Sequence, residues 1–107
     1  MKQASTIIAL ILTLPTPLLQ ADEINCPGQN TIEMQYCSSK ELSKSIKQLE
    51  AKISNKTLIE WKSISIKVCR EAYAPYKKGS IYPQMLSRCE THLNEALLNE
   101  TKGLGEH

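Results

Sequence analysis

Apolar residues fall along this chain in three stretches of helical period, set apart by polar and turn-forming positions. The first stretch places Ile32, Ile46 and Ile53 in one heptad row and Leu42 and Leu49 in the other, the stripe of a helix that docks on partners. Asn30 or Thr31 can cap its start, Glu33 in the first turn favours the helix dipole, and Ser54-Asn55 marks its stop. The second stretch opens on Thr57-Leu58-Ile59-Glu60, which has the spacing of a capping box. At about 100° per residue, Leu58, Trp61, Ile64, Val68 and Ala72 share an arc, which Ile59, Ile66, Cys69 and Tyr73 widen by more than a right angle. A helix apolar over more than half its circumference is sandwiched, so residues 57–76 are expected to be central. Pro75 ends or kinks it. The third begins between Ser80 and Pro83, carries Leu86, Cys89, Leu93, Ala96 and Leu97 on one face, and stops before Gly103. No strand alternation or repeat competes with this reading. The prediction is an all-α, three-helix domain with Leu49, Trp61, Val68, Leu86 and Leu93 in its core.

The first residues follow a different logic. Lys2 precedes an apolar run from Ile7 to Leu19, broken by Pro15 and Pro17 and followed by Gln20-Ala21-Asp22. One cation, a short apolar segment and a small residue before polar sequence describe a secretory signal peptide over residues 1–21. An uncleaved anchor is the rival, but the run is too short to cross ~30 Å of hydrocarbon. The chain is expected to be exported to the periplasm or beyond, with its domain over residues 22–102 and a frayed tail at 103–107. No membrane span is expected after removal of the signal.

Export changes the meaning of the cysteines. Cys26, Cys37, Cys69 and Cys89 are even in number and lie in a domain short enough to need staples. Zinc is the alternative, yet no two of them form a Cys-x-x-Cys pair. Of the three possible disulfide connectivities, helix geometry favours Cys69–Cys89, each ten residues from Gly79 and therefore level in an antiparallel hairpin. Cys37 lies nine residues before Ile46, opposite the first helix's apolar stripe. Its expected partner is Cys26, on an arm folded back over Met34 and Cys37.

Without Lys2, 12 Lys and Arg face 11 Asp and Glu, a net charge of +1. Lysines alternate with glutamates from Lys40 to Lys102, as on a solvated helix surface. No basic stripe suited to nucleic acid forms. Histidine occurs only at His92 and His107, and Asp22 is the one aspartate. With the cysteines in disulfides, no nucleophile stands with a base, and neither a metal nor a cofactor is implied. The reading is a binding protein and not an enzyme. Its candidate contact residues are Tyr76, Lys77, Lys78, Ser80 and Tyr82, aromatics and cations around Gly79 at the tip of the stapled hairpin. The plainer alternative is a helix connection whose tyrosines cover the end of the core.

These features together resemble the LprI-type lysozyme inhibitor N-terminal domain family of small exported bacterial proteins. The resemblance rests on Glu33-Met34-x-x-Cys37, Leu49 twelve residues on, Trp61 eight residues before Cys69, Gly79-Ser80, and Cys89 followed by Leu93. It spans nearly the whole exported part. The chain departs from the family pattern at Ser65-Ile66, where an Arg-Asp pair is usual, and at Asn94 and Leu97, where a threonine and an arginine are usual. The resemblance implies a periplasmic protein that inhibits lysozyme. On physical grounds, a protruding loop with Lys77, Lys78 and Ser80 is expected to set cations and a hydroxyl against the two carboxyl groups of a glycosidase cleft. A periplasmic immunity or envelope-partner protein that neutralises a delivered toxin is the second reading.

Overall fold

The structure is a computed structural model, and it describes residues 24–103. The expected signal peptide and the tail beyond Gly103 lie outside the described residues. Among these residues the fold is all-α, with three helices: α1 Thr31–Glu50, α2 Asn55–Ala72 and α3 Tyr82–Glu100. A short 3-10 turn, Ala74–Tyr76, follows α2.

Each boundary has a local cause. Asn30 caps α1 by accepting the Glu33 amide on its Oδ1 at 2.9 Å, and the Glu33 carboxylate reaches back to the Gln29 amide at 2.9 Å. Gly28, at φ +95°, turns the preceding arm onto this first turn. Helix α2 starts two residues earlier than the Thr57–Glu60 pattern predicts. Ser54 is its cap, accepting the Thr57 amide at 3.2 Å, so Thr57 is the third helical residue and not the cap. The connection from α1 is correspondingly short, and α1 ends at Glu50, before the expected stop. Proline fixes the other end: α2 stops at Ala72 and Pro75 enters the 3-10 turn. At the end of α3, Thr101 is the C-cap and Gly103 follows at φ +74°.

The helices run up, down and up. Ser45 meets Asn94 in the middle of α1 and α3, while residues near Met34 and Ser38 of α1 border Gln84 and Arg88 of α3 at one end. Gln48 and Ala51 border Leu98 and Lys102 at the other, so α1 and α3 are parallel. Helix α2 returns between their ends, with Trp61 against Asn94 and Cys69 bonded to Cys89. Both disulfides expected from the sequence, Cys26–Cys37 and Cys69–Cys89, are present.

The expected centre of the domain is displaced. Helix α3, and not α2, is the element packed against both others, and its main partner is α1. The wide apolar arc of α2 is therefore only partly covered. Leu58, Ser65 and Cys69 face inward, whereas Val68, assigned to the core, is 45% exposed and Ile59 and Ile64 are exposed. A domain with two partners for α3 and effectively one for α2 has no surface left to cover the rest of that arc.

The inner face of α1 is rotated as well. Cys37, Ser38, Ser45 and Leu49 are buried, and Leu49 has no exposed surface, but Ile32 is 78% exposed. Cys37 thus sits on the inner side of α1 and not opposite it. Its bond to Cys26 comes from the arm wrapping over the end of the helix pair. Leu86, Leu93 and Trp61 are half-buried.

The interior is unusually polar for its size. Ser38, Ser45, Ser65, Gln84, Thr91 and Asn94 are all buried. Ser65 and Thr91 satisfy their hydroxyls within their own helices, on the carbonyls of Trp61 (2.7 Å) and Ser87 (2.8 Å). Ser45 and Asn94 do it across helices. The Trp61 Nε1–H donates to Asn94 Oδ1 at 2.7 Å, Asn94 Nδ2 donates to Ser45 Oγ at 2.9 Å, and Ser45 Oγ donates to the Leu42 carbonyl at 2.8 Å. One chain of donors and acceptors joins all three helices.

Candidate functional site

The connection between α2 and α3 is built from successive turns three residues apart. The Tyr76 amide bonds the Tyr73 carbonyl (2.9 Å), the Gly79 amide that of Tyr76 (2.9 Å), and the Tyr82 amide that of Gly79 (3.2 Å). This ladder, with Cys69–Cys89 close behind it, holds the tip in shape. A Cβ at position 79 would meet the Tyr76 carbonyl oxygen at 3.4 Å, an ordinary contact, so the turn itself does not demand glycine there.

The sequence-derived contact residues divide into two groups. Tyr76, Lys77, Lys78 and Ser80 are exposed together at this tip, joined by Ile81, which the sequence reading did not select. Tyr82 is half-buried as the first residue of α3. The Tyr76 ring stands 6.3 Å from that of Tyr73, tilted by 49°, so one tyrosine buttresses the other. Neither Lys77 nor Lys78 pairs with a carboxylate in the structure. The tip is an apolar and cationic surface on a stapled base.

Other chemistry-bearing groups are dispersed. His92 lines a depression with Tyr73, Met85 and Cys89 and has no hydrogen-bonded partner. Among the described residues, no group of three or more His, Cys, Asp and Glu is placed to hold a metal. No described helix is long and apolar enough to cross a membrane. Burial raises the Glu90 carboxyl above its ordinary value, opposed by the nearby positive charge of Arg70.

The same end of the molecule holds a feature that sequence reasoning missed. A cavity of about 390 Å³ opens between the Cys26–Cys37 arm and the first turns of α1 and α3. Gln84, 5% exposed, forms part of its wall, and the Gln84 Oε1 is sealed from solvent without a donor. Nothing local marks Gln84 in the sequence, because its burial depends on the arm and α1.

Two of the positions singled out in the sequence prove structural. Ser65 and Asn94 are buried, and Asn94 is the hub of the interhelical chain. No family model matches the chain, and comparison with curated proteins and with solved structures finds no match. The functional reading therefore rests on the residues and their geometry.

Proposed function

We propose that this chain is an exported binding protein that inhibits a peptidoglycan hydrolase of the lysozyme type by setting the α2–α3 tip into its cleft. The observation that carries the reading is the pair of unpartnered cations, Lys77 and Lys78, exposed beside Tyr76 and Ile81 on a disulfide-backed turn. A glycosidase cleft with two carboxyl groups is complementary in charge to such a tip. Tyrosine and isoleucine add apolar contact, and the turn ladder lowers the conformational entropy lost on docking. Disulfides suit an oxidising compartment, which supports a periplasmic or secreted setting.

The test is a lysozyme inhibition assay with the oxidised protein and with the double variant K77A/K78A. Wild-type inhibition that weakens by about tenfold or more in the double variant is the expected result, since charge-assisted contacts contribute roughly 1.5–3 kcal/mol each. Unchanged potency in a folded, oxidised double variant removes the tip from the mechanism. Absence of inhibition by the wild type removes the lysozyme reading itself.

A further inference from the structure

We infer that the outer face of α2 pairs with the same face of a second copy of this chain, antiparallel and about a two-fold axis. The starting point is how little the domain buries. Among the described residues, Leu49 and Leu58 are the aliphatic side chains that are buried, and the other buried apolar residues are the disulfide cysteines Cys37 and Cys69. A small domain with so thin an interior gains stability from burial against another chain.

The surface available for that burial is on α2. Trp61, Ile64 and Val68 follow one another at intervals of three and four residues, the a and d spacing of a seam between two helices. Ile64 is 50% exposed and Val68 is exposed beside it. Trp61 is half-buried, anchored by its bond to Asn94, and forms the inner edge of the strip. Ile59 is exposed too, but it lies about 140° round the helix from Ile64 and outside the strip.

Charge beside the strip selects a second copy as its occupant. Glu60 and Lys67 stand one heptad apart along the outer edge, both exposed and neither in an ion pair. When two α2 helices run antiparallel with Trp61 of each against Ile64 of the other, Glu60 of one copy falls beside Lys67 of the other. The same contact recurs across the axis, with Lys67 of the first beside Glu60 of the second. These are the g positions that flank the seam, and opposite charges there set partner and orientation. Parallel pairing would put Ser65 and Ala72 of the second copy opposite Glu60 and Lys67, and no ion pair would form. Glu71 and Lys56, both exposed, are spaced about the same centre and extend the antiparallel complementarity by one turn at each end. A patch that complements itself in this way is what a two-fold interface requires.

The axis passes near residues 62 and 63, so the two α2–α3 tips point away from each other at opposite ends of the pair. Pairing leaves the tips uncovered, and the inference stands independently of the partner proposed for them. The contact is confined to about four turns of one helix in each copy, at the small end of protein interfaces. A dissociation constant in the micromolar range is therefore expected.

The experiment is sedimentation equilibrium of the purified, oxidised protein from about 10 µM to about 1 mM, with circular dichroism as the control for folding. A monomer–dimer equilibrium is expected, and Ile64→Glu should abolish it. E60K and K67E should each weaken it by about tenfold, because two favourable pairs become two repulsive ones. The double variant E60K/K67E restores opposite charges across the axis and should return to within about threefold of the wild type. An equimolar mixture of the two single variants should likewise dimerise more tightly than either alone. The charge variants alter exposed side chains and keep the test open even if Ile64→Glu unfolds. A wild type that stays monomeric at about 1 mM leaves the face to a different partner and overturns the inference. So does an unchanged constant in folded Ile64→Glu, E60K or K67E, or a double variant that fails to recover.

Discussion

The indole nitrogen of Trp61 donates to Asn94 Oδ1 at 2.7 Å across 33 residues of sequence, and the Asn94 amide passes the connection on to Ser45 at 2.9 Å. This contact decides how α2 sits on α3, because the apolar surface of α2 that remains exposed gives little further registration. Asn94→Ala should lower unfolding free energy by about 2 kcal/mol, since it leaves the indole without its acceptor and opens space between three helices. Urea unfolding followed by the fluorescence of the single tryptophan measures it. The same variant should red-shift the folded-state emission as the indole loses its buried partner.

The arm over α1 depends on Gly28. A Cβ added there would lie 2.8 Å from the Glu33 carbonyl carbon and from the Met34 nitrogen, which are backbone atoms that cannot swing aside, and its φ of +95° is one that side chains disfavour. Gly28→Ala is expected to cost roughly 1–3 kcal/mol locally. Amide hydrogen exchange at residues 28–34 should accelerate, while exchange in the middle of α3 stays near the wild-type rate.

The two disulfides close segments of 20 and 11 residues. In the chain-entropy treatment each contributes about 3 kcal/mol, the longer loop slightly more. Packing widens that difference, because Cys69 is fully buried and Cys26 is exposed. Cys69→Ala/Cys89→Ala should therefore lower the Tm further than Cys26→Ala/Cys37→Ala, as read by thermal circular dichroism on the two double variants.

Glu90 gives the fold a pH dependence of known sign. Burial raises its pKa in the folded chain despite Arg70, so the folded state holds that proton more tightly than the unfolded state. Its contribution to stability is full below the unfolded-state pKa and is lost as pH rises through the folded-state value. Glu90→Gln should flatten this part of the stability–pH profile and stabilise the protein at neutral pH. The gain should be well under the ~1.4 kcal/mol of a whole pKa unit, because the carboxyl is partly solvated and screened. Denaturant midpoints from acid to neutral pH provide the measurement.

Features with local causes were readable from the residues alone. Asn30 as a cap, Pro75 as a stop, Gly103 past the last helix and the equal spacing of Cys69 and Cys89 from Gly79 each act within one or two turns. The exposed part of the tip followed from that hairpin. Hydrophobicity misled where burial depends on which helices meet. Ile32 and Val68 belong to apolar rows yet face solvent, whereas Ser45 and Asn94, unremarkable as single residues, are buried because they find each other across 49 positions. Gln84 escaped for the same reason. Thr57–Glu60 has the form of a cap, but Ser54 stands three residues upstream and reaches the Thr57 amide first.

Because α1 and α3 run parallel and α2 returns against them, both cross-links fall at the pole where the arm and the tip meet. Cys26–Cys37 holds the first turns of α1, and Cys69–Cys89 holds the last turn of α2 against the early turns of α3. The far pole, where residues 51–54 connect α1 to α2 and α3 ends, is held by noncovalent contacts alone. Thermal opening is therefore directional: the helix ends at that pole can separate while every covalent loop stays closed. The α2–α3 tip lies at the cross-linked pole and is expected to separate last.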